Sequence, residues 1–422
     1  MAYKHFSMYN TLFYLILGIL VVEFVFDRLL DWLNASYRDK PIPKELQGIY
    51  DDEKYLKQQN YAKKNSRFEL LSSVFSFVLL FIFLLLGGFG WLHYLLEPHI
   101  NHALVLGLAF FGVLFLASDF IGIPFEWYHT FKIEQKFGFN TTTPKIFIGD
   151  KLKSYLITVV LGGLLYALLF TIYQKTQEMF WIYALAVIVI FMLFMTMFYS
   201  KLIVPLFNKQ IPLPDGELKN EIENYANKTG FKISNIFEID GSKRSTRANA
   251  YFTGLGTKKR IVLYDTLIKE LNHDELVAVL AHEVGHYKKK HTLLGLFLST
   301  AQVGLMLFIL SRFITEPALA QALGVSQPVF HISLLAFSLI YSPVSTLTGL
   351  FMNWISRKHE YQADAFTRET HNSESLILAL KKLATNNLSN LTPHPLYVKV
   401  NYSHPTLLER IRALRTGMFI KK

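Results

Sequence analysis

The chain has no cysteine among its 422 residues. That absence excludes a disulfide scaffold, an iron–sulfur site and any Cys-ligated zinc, so a metal here would need His, Asp or Glu. Charge is scarce as well: 18% of residues are Asp, Glu, Lys or Arg, against roughly 25% in soluble domains. The sequence also shows no internal repeat, low-complexity tract or Pro-rich linker. What is present is apolar, 51% hydrophobic with 15% aromatic, which rules out a disordered or fibrous chain and points to a bilayer. A formal net charge of +11 would suggest nucleic acid in a soluble protein. In a membrane protein, loop lysine and arginine account for it, and no nucleic-acid partner is expected.

A spanning helix needs about 20 apolar residues, because about 1.5 Å per residue must cover about 30 Å of hydrocarbon. Seven segments qualify: 8–26, 70–91, 103–125, 154–174, 180–200, 292–311 and 329–356. Only the first, with Glu23, and the third, with Asp119, contain a formal charge. Lys and Arg between the spans number nine in 27–69, none in 92–102, five in 126–153, one in 175–179, fifteen in 201–291, one in 312–328 and eleven in 357–422. Under the positive-inside rule this alternation places the first, third and fifth connections and the C-terminus in the cytoplasm, and the N-terminus outside or in a lumen. Lys4 alone precedes the first span while Arg28, Arg38, Lys40 and Lys44 follow it, which favours a retained anchor over a cleaved signal. The expected division is therefore 1–200 for spans one to five, 201–291 for a cytoplasmic segment, 292–356 for spans six and seven, and 357–422 for a second cytoplasmic segment.

Within 201–291, a stretch holding Pro205, Pro212 and Pro214 leads into an expected amphipathic helix over 217–229, closed by Gly230. Ala250-Tyr251-Phe252 and Ile261-Val262-Leu263-Tyr264 are β-rich and flank Gly254, Gly256 and Thr257-Lys258-Lys259, which predicts a hairpin. Asn272 followed by Glu275 makes a capping-box start for the next helix. That helix carries His282-Glu283-Val284-Gly285-His286, an H-E-x-x-H motif. Residues four apart lie on one helix face, so the two imidazoles can converge on a single ion with Glu283 beside them as a proton acceptor. Zinc suits the set, since two histidines and a carboxylate leave a position for a water of lowered pKa, whose proton Glu283 can take and pass to a leaving amine.

A third ligand must come from elsewhere. At the exit of the last span stands Ser356-Arg357-Lys358-His359-Glu360-Tyr361-Gln362-Ala363-Asp364. If the helix continues, Arg357, Glu360 and Asp364 share a face, so Glu360 could ligate while Asp364 orients a ligand histidine. Spacing alone equally allows a helix end laced by Arg357–Glu360 and Arg368–Asp364 ion pairs. His359 competes as a ligand, although it points about 100° away from Glu360.

With Asn249-Ala250-Tyr251-Phe252 and Ser403-His404-Pro405 added, the order of motifs resembles the type I CaaX prenyl endopeptidases, integral-membrane zinc metalloproteases. The resemblance spans nearly the whole chain. It implies one Zn2+ per chain on His282, His286 and Glu360, with Glu283 catalytic. It implies active-site roles for Asn249 and His404 in binding substrate or stabilising the tetrahedral intermediate, and a structural pairing of Arg410 with Asp364. In fold it implies a mainly α, seven-helix membrane protein enclosing a water-filled chamber, with a zincin-like α/β catalytic unit facing the cytoplasm. As substrates it implies proteins with a C-terminal prenylated Cys-aliphatic-aliphatic-X sequence, cut to release the last three residues, with a second cut nearer the N-terminus in some members. Read without the family, Asn249 is a turn residue and His404 an exposed loop residue before proline.

Two rival readings remain at this level. One is a quality-control metalloprotease that degrades damaged membrane proteins; the other is a transporter or channel with a structural zinc, which should show repeated spans and mid-membrane charge. No retrieval signal marks the C-terminus, where the final residues are Ile420-Lys421-Lys422, so endoplasmic reticulum and bacterial inner membrane both fit. Asp119 and Glu23 suit hydrated helix ends or the chamber. Lys288-Lys289-Lys290 suits topological anchoring, and Pro343 a kink in the last span.

Overall fold

The computed structural model describes residues 10–231, 235–253 and 260–417. The described residues are mainly helical, with one small sheet. The first helix, Thr11–Ser36, starts where the Asn10 side chain accepts from the Phe13 N–H. The next, Asp52–Leu85, is capped by Asp51 and runs 34 residues, about 51 Å at 1.5 Å per residue. That is longer than a bilayer core requires, so its charged first half stands clear of the apolar second half. The helix ends where Gly87 adopts φ 65°, and a short helix, Gly88–Leu96, continues in a new direction. The expected span over 70–91 is thus the end of a longer helix plus a break, because two adjacent glycines permit a left-handed turn that the hydropathy count ignores.

Five stretches of the described residues are long and apolar enough to cross a membrane: Asp52–Leu85, Ala103–Phe137, Pro144–Phe207, His291–Phe313 and Phe330–Thr370. The third is 64 residues long and turns at Gln177, whose φ is 43°, so that helices Gly163–Thr176 and Phe180–Phe198 pack on each other. This is a multi-pass membrane protein. Phe13, Phe110, Phe180, Leu310 and Ile332 meet in the core of the helix bundle. Asp119 lies in a polar knot, 2.6 Å from Lys151 Nζ and accepting from the Tyr155 hydroxyl. Lys151 also reaches Glu126 at 2.7 Å.

The polar segments fold together. Strands β1 (Gln210–Pro212), β2 (Asn235–Ile239), β3 (Ala250–Thr253) and β4 (Arg260–Tyr264) form a sheet in the order β1-β2-β4-β3, parallel only between β2 and β4. The expected β3–β4 hairpin is present and leaves β3 at the sheet edge; its turn residues, Gly254 to Lys259, lie outside the described residues, as do Lys4, Met8 and Ile420 to Lys422. Helix Glu217–Lys228 forms where the amphipathic pattern placed it, and Ile222 and Tyr225 join Leu263, Leu276 and Leu280 in a core under the sheet.

Helix His273–Lys288 opens on a complete capping box between Asn272 and Glu275. It ends at Lys289, and Lys290 at φ 59° turns the chain into helix His291–Phe313. Against it lies the 41-residue helix Phe330–Thr370, whose first half is buried in the bundle at Phe330, Ile332 and Ala336 and whose last turns are buried at Glu360, Ala363 and Asp364. Pro343 sits within this helix. One rod therefore joins the apolar bundle to the polar unit. Close approach of the two helices depends on Gly285, where a Cβ would come within 3.0 Å of Ala363 Cα and 3.1 Å of its carbonyl oxygen. Neither of the ion pairs considered for this helix end forms. Arg357 donates to the Tyr402 carbonyl at 2.5 Å and Arg368 to that of Ala413 at 3.4 Å, while Glu360 is engaged by His282 and His286 and Asp364 by His282 and Arg410.

Candidate metal centre

Helix periodicity places His282 and His286 one turn apart, and their Nε2 atoms lie 3.1 Å from each other. Glu360 arrives from the facing helix, with Oε2 3.3 Å from His282 Nε2 and Oε1 3.2 Å from His286 Nε2. All three ligand atoms fall within 4.8 Å of one another. Two nitrogens and a carboxylate this close need a positive charge among them, and Glu360 Oε2 is buried without a hydrogen-bond partner. The donor set and this orphaned oxygen fit a single Zn2+. His359 does not join the cluster; about 100° round the helix from Glu360, its ring stacks on His291 at 3.9 Å.

Behind the ligands stands a second layer. His282 Nδ1 is 2.9 Å from Asp364 Oδ1, and Arg410 binds both oxygens of Asp364 at 2.9 and 2.6 Å. Asp364 thus accepts the Nδ1 proton and leaves Nε2 to the ligand side. Burial and Arg410 disfavour a charged His282. The contacts with Asp364 and Glu360 outweigh them, and in the metal-free protein its pKa is pushed up to about 9. Burial opposes charge on Arg410 too, yet Asp364 and Glu360 raise it above the ordinary guanidinium range.

On the other ligand, His286 Nδ1 lies 3.0 Å from His291 Nδ1, and His291 Nε2 lies 2.7 Å from Gln362 Oε1. An amide oxygen only accepts, so His291 donates from Nε2, accepts at Nδ1 from His286, and leaves His286 Nε2 with its lone pair toward Glu360. His291 and Gln362 escape a reading by spacing. Helix periodicity does not carry from His286 to His291 across the left-handed Lys290, and Gln362 is an ordinary helix residue until the fold brings it there.

A cavity of about 460 Å³ opens onto the cluster, lined among others by Asn249, Glu283, His404 and Arg410. Asn249 precedes edge strand β3, its backbone carbonyl accepting from Tyr264 N–H at 3.1 Å and its side-chain oxygen from Ala250 N–H at 2.9 Å. Its amide nitrogen is the group left for the cavity. His404 Nε2 is 3.3 Å from Glu360 Oε1, and its Nδ1 contacts Ser403 Oγ at 2.9 Å. Asn249, His282, Glu283, His286, Glu360, Asp364, His404 and Arg410 are therefore gathered at one place, from positions up to about 160 apart in the chain.

Comparison with known proteins agrees with this geometry. Residues 31–209 match the family model for the CAAX prenyl protease N-terminal region, described as five membrane helices, and 212–417 match peptidase family M48. The chain is 33% identical over 428 residues to CAAX prenyl protease 1 of Saccharomyces cerevisiae, covering 95% of this chain and 94% of that protein. It is 36% identical to the CAAX prenyl protease 1 homolog of Arabidopsis thaliana, covering 94% and 96%. The crystal structure of S. mikatae Ste24p superposes with a TM-score of 0.92 at 32% identity, covering 96% of this chain and 99% of that one. The chain belongs to peptidase family M48 in its CAAX prenyl protease branch and is a multi-pass membrane zinc metalloendopeptidase.

Proposed function

We propose that the protein removes the last three residues of proteins that end in a prenylated Cys-aliphatic-aliphatic-X sequence. The observation that carries the reading is the His282–His286–Glu360 cluster, whose Glu360 sits on a helix that continues into an apolar bundle and which is flanked by an open strand edge. A peptide whose end is held at a membrane by a lipid would reach such a site; the names of the relatives support the substrate class.

Zinc on His282, His286 and Glu360 would polarise the scissile carbonyl and lower the pKa of a water. Glu283, on the cavity wall, takes a proton and returns it to the departing amine. Substrate backbone adds to the free edge of β3, and Asn249 and His404 donate to the carbonyl oxygen as it gains charge. Asp364, held by Arg410, keeps His282 oriented.

For architecture we propose seven crossings that enclose a water-filled chamber, with the N-terminus outside or in a lumen and the metal unit in the cytoplasm. The Lys and Arg alternation supports this orientation, as does the union of 201–291 and 357–422 in one catalytic unit, with 1–200 and 292–356 as the membrane part. Glu23, with a buried unpaired oxygen, and Asp119 suit a hydrated interior. Endoplasmic reticulum and bacterial inner membrane both accept this topology.

The deciding experiment compares a farnesylated peptide with its unprenylated twin on the purified zinc enzyme. Preferential release of the C-terminal tripeptide from the farnesylated form, lost in Glu283→Ala at unchanged zinc content, is the expected result. Equal cleavage of both peptides would favour a quality-control protease, and turnover retained by Glu283→Ala would remove the general-base assignment.

A further inference from the structure

Apart from the cavity at the metal centre, a groove of about 1130 Å³ lies between the first half of helix Asp52–Leu85 and the end of helix Ala103–Tyr128. Its lining has two chemistries. Lys57, Lys63, Lys64 and Arg67 come from one helix, and Lys136 faces them from beyond the second helix. None of the five is ion-paired with an Asp or Glu among the described residues, whereas nearby cations are: Arg247 with Glu134 at 3.0 Å, and Lys151 with Asp119 and Glu126. Glu53, a turn away at the start of the helix, is the lone carboxylate on the wall.

Further along, the same groove is floored by Phe68, Leu71 and Phe125, at the level where both helices become apolar. The basic half is tied to the metal unit, since Tyr50 donates to the Ala384 carbonyl at 2.8 Å and the Tyr61 hydroxyl to Glu134 at 2.6 Å, where Arg247 also binds. So the groove lies where helix Asp52–Leu85 passes from charged to apolar residues, beside the catalytic unit.

Its shape has a backbone cause. Helix Ala103–Tyr128 passes into a π-helical turn, His129–Glu134, then ends at Gly138 with φ 84°. This detour brings Lys136 back to the groove, and such π turns concentrate at functional sites. Lys57, Lys63, Arg67 and Lys136 are exposed and Lys64 is half-buried. Here they converge from two chain segments on one concavity, above an apolar floor, which is the arrangement by which basic pockets between spans bind lipid headgroups.

We propose that this groove is a binding site for an anionic glycerophospholipid of the leaflet facing the metal unit. Its phosphate is held by Arg67, which can bind two oxygens at once, together with Lys57, Lys63, Lys64 and Lys136, and an acyl chain lies along Leu71 and Phe125.

The full-length zinc protein in nanodiscs provides the test, with fluorescent phosphatidylinositol phosphate as the probe in a phosphatidylcholine background. Lys63→Gln/Lys64→Gln/Arg67→Gln should weaken retention by roughly two orders of magnitude, about fivefold per lost cation. Zinc content and peptide cleavage in zwitterionic detergent should stay at wild-type level. The milder Lys136→Gln should weaken it about fivefold, which keeps the test valid if the triple variant misfolds. Undiminished retention in both variants would overturn the site. Soluble inositol phosphate binding as tightly as the lipid would overturn the acyl-chain half of it, leaving a free-phosphate site only.

Discussion

At His282 the fold decides which nitrogen is offered and at what pH. With Asp364 accepting from Nδ1, Asp364→Asn should lower zinc affinity about 10- to 100-fold, read by competition with a fluorescent chelator. Affinity unchanged in that variant would make Asp364 a structural acid only. His291→Ala should also weaken zinc, by about tenfold, because His286 loses the partner that sets its tautomer. His291→Gln, which can still accept from Nδ1 through its amide oxygen, should recover part of the loss; no recovery would assign the effect to packing. In the metal-free protein His282 carries its proton up to about pH 9, and zinc must displace it. Apparent zinc affinity should therefore climb as pH rises and level off above about 9, with proton release on binding near neutral pH visible as a buffer-dependent heat in calorimetry. A flat profile between pH 7 and about 9 would show that the histidine is already neutral.

Among the elements, the crossing of helices His273–Lys288 and Phe330–Thr370 matters most for function. Gly285 is the contact point, and a methyl group there meets backbone at 3.0 to 3.1 Å, which no side-chain rotation can relieve. Gly285→Ala should force the helices apart, costing about 1–3 kcal/mol and loosening Glu360 from the two histidines. A lowered unfolding midpoint together with reduced zinc content is the expected signature; full zinc occupancy would mean that the helices tolerate the shift. By contrast, Asn272→Ala removes the capping box at the far end of the same helix, at a cost of about 1 kcal/mol, and should lower thermal stability while leaving the kcat of the zinc-loaded enzyme nearly unchanged.

Over the whole molecule, the metal would unite two chain segments, His282 with His286 on one and Glu360 on the other, separated by two stretches apolar and long enough to cross a membrane, so zinc should act as a cross-brace. Removing it with a chelator should lower the unfolding midpoint of the catalytic unit, and added zinc should restore it in a concentration-dependent way. The amino-acid order alone determined what depends on local periodicity and composition: the HExxH pair on one helix face, the capping box, the amphipathic helix before the sheet, the β3–β4 hairpin and the membrane character. Those follow because 3.6-residue and two-residue repeats are properties of neighbours in the chain. Spacing left Glu360 and His359 open and only the family resemblance favoured Glu360; tertiary structure brought Glu360 to the two histidines, replaced the imagined Arg357–Glu360 and Arg368–Asp364 pairs with contacts to Tyr402, Ala413 and Arg410, recruited His291 and Gln362, and broke the helix at Gly87. Each of these depends on which helix faces which and at what distance, a relation between residues up to about 160 positions apart that no repeat along the chain encodes.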